Sequence, residues 1–261
     1  MKRLVALLAL VLILLCGCDS EKKEQEVKVT GDDTTVVSRL ENIVELQKCL
    51  FRAKINGVET VDAIISKYNL DLSKYTMYTV DIVESFDGYT PTGPARVYWA
   101  GTTEEFVSRI GLKQNESYIL DAEPWVYGDE VVYILYPGTD SYPKLDPAEG
   151  LTIAISDTEA LSVGTIDTYR DEYKKAVKAV DERIENFSDV KNAAGRFADI
   201  FKEMLVKNSD KTIYTERSYK WVPDDSFIDT TIVRTQEICD AAAALAASES
   251  VTKEQITELL K

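Results

Sequence analysis

The apolar residues of this chain change period twice, and that limits the folds open to it. From Val36 they recur at spacings of three and four, so that Leu40, Ile43, Val44, Leu50 and Phe51 share one helical face. This predicts a helix over residues 36–51. Val61, Ile64, Ile65 and Tyr68 predict a second, short helix over 58–68, after an Asn56-Gly57 turn signal. The period then drops to two: Tyr78, Val80 and Ile82 alternate with Thr79, Asp81 and Val83. Strands are expected over residues 78–83, 95–100, 117–122, 130–136 and 151–155, with glycine and proline breakers between them. Five short strands in one block suggest a small antiparallel barrel or sandwich. Beyond Thr165 the helical period returns. Tyr169, Tyr173, Ala176, Val177, Val180, Ile184 and Phe187 make one stripe. Val190, Ala193, Ala194, Phe197, Ile200, Phe201 and Met204 make another, after Ser188 as N-cap. The two stripes are expected to face each other in an antiparallel hairpin. Residues 212–222 read as a strand or extended return, and 226–247 as a further helix. Thr252 and Gln255 have capping-box spacing for a last one. The fold class is therefore α+β: helices over 36–75, a β-barrel over 76–156 and a helical region over 165–261.

The N-terminus has a different logic. Lys2 and Arg3 precede an unbroken apolar run at residues 4–15. As a helix that run spans about 18 Å, short of a ~30 Å hydrocarbon core, so it reads as the apolar region of a signal peptide. Leu15-Cys16-Gly17-Cys18 follows, and it resembles the lipobox of bacterial lipoproteins. Cys16 is a departure from the small or aliphatic residue usual at its position. The resemblance implies cleavage after Gly17, a diacylglyceryl group on the Cys18 sulfur, and a mature chain on the extracytoplasmic face of a membrane. Two acyl chains suffice for stable anchoring. Asp19 resembles an inner-membrane retention signal if the chain is from a Gram-negative bacterium; in a Gram-positive one the position carries no sorting meaning. Residues 1–17 are thus the expected signal peptide. Residues 18–35, charged and poor in apolar side chains, are the expected tether.

Charge and composition exclude several functions. The chain has 30 Lys and Arg against 45 Asp and Glu. Removing Lys2 and Arg3 leaves 28 against 45, a formal charge of −17 on the mature chain. Such a surface repels nucleic-acid phosphates and anionic headgroups, so neither nucleic acid nor a polybasic membrane contact is expected. There is no histidine. Ser-His-Asp and Cys-His nucleophile systems and His-ligated zinc are excluded with it. Past the lipobox only Cys49 and Cys239 remain, too few for a disulfide scaffold or a Cys-only zinc site. They read either as small buried hydrophobes or as a disulfide between two helices, which export would permit.

The middle of the chain carries a second resemblance. Phe86-Asp87-Gly88, then residues 95–101, then Leu112-Lys113-Gln114-Asn115-Glu116-Ser117-Tyr118 and residues 128–137 follow one another in order. The block is similar to the small OB-fold barrels of the tissue-inhibitor and netrin-module type, which implies an OB-like barrel. It departs from that pattern by Asp87 where lysine is usual and by Asn115 where glycine is usual. Asparagine is the next best residue for a left-handed turn. The animal modules are tied by N-terminal disulfides that this segment lacks, so protease inhibition is not implied.

Candidate chemistry is sparse. Asp224, Asp225 and Asp229 cluster at an expected helix start, where carboxylates suit the helix dipole without any metal. Asp140 and Asp146 read as turn residues. No glycine-rich phosphate loop and no EF-hand spacing occurs, and no cofactor or metal is expected. Trp125 and Tyr127, between the expected third and fourth strands, are the candidate ligand contacts, because amphipathic rings in a loop suit sugar or peptide stacking. The expected function is a non-catalytic envelope module that binds a protein, peptide or glycan. The alternatives are a hydrolase working through Asp or Glu without histidine, and a transporter's solute-binding lipoprotein. The latter would carry repeated βα units that this chain lacks.

Overall fold

The computed structural model describes residues 36–62, 75–100, 112–135, 142–146, 150–154, 160–209 and 224–261. The signal segment, Cys18 and the tether lie outside these residues. So do Asp140, residues 212–222 and most of the expected 58–68 helix. In chain order the elements are α1 (Val36–Glu45), β1 (Cys49–Val61), β2 (Tyr75–Ser85), β3 (Gly93–Ala100), β4 (Ser117–Tyr127) and β5 (Glu130–Leu135). Then come β6 (Lys144–Leu145), β7 (Gly150–Ala154), β8 (Ala160–Thr165), α2 (Ile166–Arg183), α3 (Val190–Ser209), α4 (Asp225–Ala247) and α5 (Lys253–Leu259).

The fold is α+β, and its centre is a closed OB-like barrel of five strands. Their order is β1-β2-β3-β5-β4, and β4 pairs back onto β1. Four of the five contacts are antiparallel. The fifth, β3 with β5, is parallel at Val97↔Tyr133, so the barrel is mixed rather than antiparallel. The pairing register carries one face around the ring. Phe51 lies opposite Leu120, Ala122 opposite Leu135, Ala53 opposite Ile82, and Tyr78 opposite Val97. Residues directly opposite share a face, so these side chains fill the interior. All of them are buried, and Phe51 meets Tyr133 at 5.2 Å between ring centroids.

Membership of the barrel differs from expectation at both ends. The strand expected at 151–155 forms as β7, but in an outlying ribbon of β6, β7 and β8. The missing barrel strand is β1, which takes residues assigned to two helices: Leu50 and Phe51 from the first, Val58 and Val61 from the second. The helix ends at Glu45, and from Cys49 inward-facing residues alternate as Cys49, Phe51, Ala53 and Ile55. Asn56-Gly57 is not a turn but a register irregularity within β1. A Cβ on Gly57 would lie 2.6 Å from Thr79 Oγ1, so a larger residue here would force Thr79 or the strand to shift.

The helices cover the barrel in two groups. α1 and α2 pack together over Leu50 and Ile119, on the outer face of β1 and β4. α3 and α4 pack together and close over the β4–β5 hairpin, joined by α5. The expected α2–α3 hairpin is therefore replaced by the pairs α1–α2 and α3–α4. Ser188 does not cap α3; the Asp189 carboxylate does, accepting from Lys191 N at 2.8 Å. The capping box of Thr252 and Gln255 on α5 forms in full, and Asp224 caps α4 through Phe227 N at 2.8 Å. No helix among the described residues is long and apolar enough to cross a membrane.

Candidate functional site

Trp125 and Tyr127 lie within β4 rather than in a loop, and they are not an exposed pair. Trp125 is 4% exposed and belongs to the main core. Tyr127 is half-buried, with Phe227 of α4 at 4.8 Å edge-on and Tyr98 at 5.7 Å. The turn after them is held by Gly128 N donating to Thr231 Oγ1 at 3.0 Å. Packing thus accounts for both rings. Cys49 and Cys239 are free thiols, one inside the barrel and the other on α4, donating to the Ala198 carbonyl at 3.6 Å. Among the described residues no group of three or more His, Cys, Asp or Glu could hold a metal ion.

The structure instead opens a cleft where the two helical groups meet the barrel mouth. It holds about 110 Å³ of free space. Its floor is the connection from β2 to β3, with Phe86, Asp87 and Tyr89. The connection from α1 to β1 supplies Gln47 and Lys48, α2 supplies Tyr173, and α3 and α5 supply Arg196 and Lys253. Phe187 and Ser188, between α2 and α3, line the remaining side.

Asp87 builds the floor. One oxygen accepts from Ser85 Oγ at 2.8 Å, Tyr89 N at 2.6 Å and Thr90 N at 2.8 Å. The other accepts from Leu50 N and Thr90 Oγ1, both at 2.7 Å. A carboxylate has about four lone-pair sites, so this one is saturated and ties the β2–β3 turn to the start of β1. Gly88 turns the chain at φ 75°, and a Cβ there would lie 3.0 Å from Lys253 Nζ. The aspartate that breaks the Phe-Lys-Gly pattern is thus a structural hub.

Three cations face the same space. Lys48 is committed: its ammonium lies 3.5 Å from Asp121, a nearly buried carboxylate that also takes Arg39 at 2.9 Å. Burial lowers the Lys48 pKa against the attraction of Asp121. Arg196 donates through Nε to Gln47 Oε1 and through Nη2 to the Phe187 carbonyl at 2.7 Å, with its guanidinium 3.8 Å from the Phe187 ring centroid. Lys253 holds its ammonium 5.2 Å from the Tyr89 ring centroid. Burial pushes the Tyr89 hydroxyl pKa up, so the ring remains neutral at physiological pH.

Neither Arg196 nor Lys253 stood out in the sequence. Arg196 lies in an apolar stripe and Lys253 inside a capping box, and neither position carries a chemical signature. No protein-family model matches the chain, and no curated protein matches its sequence.

Proposed function

We propose that the chain is an exported lipoprotein, anchored through lipid on Cys18 to the outer face of a membrane, and that its globular part is a non-catalytic binding module. The ligand enters the cleft between the barrel mouth and helices α2, α3 and α5. The lipobox at residues 15–18 supports the anchor. The observation that carries the binding reading is the lining of the cleft: cations and aromatic rings face one space, above a carboxylate whose lone pairs are taken. A small concave site with a few polar groups among rings is the usual form of a ligand site. A hydrolase working through paired carboxylates would need two free acids on one space. Among the described residues Asp87 is the only acid lining the cleft, and it is saturated.

A photoreactive phenylalanine analogue at Ser188, on the rim, tests this reading in the native envelope. The same residue at Val233, 57% exposed on α4, is the control. Illumination is expected to give a discrete mass adduct from position 188 and none from 233. The same adduct from both positions, or none from either, would contradict the reading.

A further inference from the structure

We propose that Arg196 and Lys253 form an anion-binding pair, and that the ligand of the cleft is a small organic carboxylate on an aromatic or short aliphatic body. This deepens the binding reading above and rests on it.

The first observation is a missing partner. Six of the seven arginines among the described residues lie within 4.0 Å of a carboxylate. Arg196 is the exception, in a chain with 45 acids against 30 bases. Its two bonded partners, the Gln47 amide oxygen and the Phe187 carbonyl, are neutral. They orient the guanidinium without cancelling its charge. A guanidinium has five N–H donors, so three are left for a ligand. Burial lowers its pKa, with Tyr89, Asp181 and Asp189 opposing from longer range. An arginine stays charged under such shifts, so the site holds a part-buried cation with acids at longer range but none in direct contact.

The second observation is the company it keeps. Lys253 lines the same space and, among the described residues, has no carboxylate within 4.0 Å, with Glu254 attracting it from longer range; its ammonium lies against the face of Tyr89 and the Gly88 turn. Asp87, the nearest acid in the lining, directs its lone pairs at five donors of the fold. Lys48 is balanced by Asp121. Among the described residues, two cations with no carboxylate within 4.0 Å therefore face one space, walled by aromatic and apolar side chains together with Gln47 and Ser188.

The shape selects among anions. A planar guanidinium fork matches a carboxylate in two parallel hydrogen bonds. About 110 Å³ is somewhat less than the ~150 Å³ cavity known to hold benzene. The space thus takes a carboxylate and part of one ring or short chain, with the remainder projecting past Ser188. Tyr89, Tyr173 and Phe187 supply the apolar contact. In a molecule of negative charge, a local positive cleft also concentrates small anions from solution.

The test uses the full lipidated chain in nonionic detergent, titrated with benzoate, neutral benzamide and inorganic phosphate, and read by calorimetry and melting temperature. Benzoate is expected to bind saturably and raise the melting temperature, and benzamide to bind at least about tenfold more weakly. Arg196→Lys keeps the charge but loses the fork, and Lys253→Gln removes the second cation. Each is expected to weaken benzoate by about tenfold or more while the chain still melts cooperatively. Equal binding of benzamide and benzoate, no binding of benzoate, or unchanged benzoate affinity in both variants would overturn the inference. Phosphate binding without benzoate binding would replace an organic carboxylate with an inorganic anion and overturn it too. If benzoate fails but the adduct at position 188 persists, the cleft remains a binding site and the anion assignment alone falls.

Discussion

Replacing Phe197 with alanine is expected to cost about 3–5 kcal/mol of folding stability. Phe197 is 1% exposed, and its ring meets Tyr89 edge-on at 5.8 Å. It lies on the face of α3 that also carries Phe201 and Met204 into the barrel-side core. Removing the ring forfeits its transfer free energy and leaves a hole that α3 cannot collapse into, because α4 holds it from behind and the barrel from in front. The loss also opens the cleft, of which Phe197 is a wall. Urea denaturation would show a lower midpoint at unchanged slope. A loss below about 0.5 kcal/mol would mean that α3 does not seat on the barrel.

Replacing Cys18 with serine is expected to remove the lipid and, with it, either the chain's release from its precursor or its hold on the membrane. Serine has no thiol to carry diacylglycerol, so the chain either stays as an uncleaved precursor or leaves the membrane fraction. The anchor depends on this one atom because the polar stretch at residues 19–35 offers no second apolar hold, and a net negative chain is repelled by anionic headgroups. Fractionation with an alkyne fatty acid as label would show wild type in membranes and labelled. The serine variant would be unlabelled. If that variant is still cut after Gly17 and fractionates like wild type, the lipoprotein assignment fails.

Local pattern revealed those elements whose two faces differ. β2 alternates buried Tyr78, Val80 and Ile82 with more exposed neighbours, and its period of two is plain in the sequence. α5 begins with a capping box whose spacing is its own signal. β1 was hidden for a physical reason. Its inward residues alternate, but outward Leu50 is covered by α1 and α2, so the start of the strand is apolar on both faces and continues the helical spacing of α1. β4 runs five residues past its expected end at Ala122, and Pro124 pairs with Tyr133 within the sheet. The parallel contact of β3 and β5 depends on which strands meet in space, which no local pattern encodes. The cleft was illegible for a similar reason. Arg196 is informative only through what is not beside it, and that becomes visible once α3 is placed against Gln47, Phe187 and Tyr89.

The central proposal is that this chain holds a small ligand at a membrane surface. Native mass spectrometry of the protein extracted in mild detergent from its own envelope tests it most directly, with Ser188→Trp alongside. Ser188 is an exposed rim residue, so an indole there fills the cleft without touching the core. The account predicts a wild-type population carrying extra non-covalent mass, lost on gentle activation, and a Ser188→Trp variant that folds normally and carries none. A bare wild-type chain, or equal extra mass on both, would contradict it.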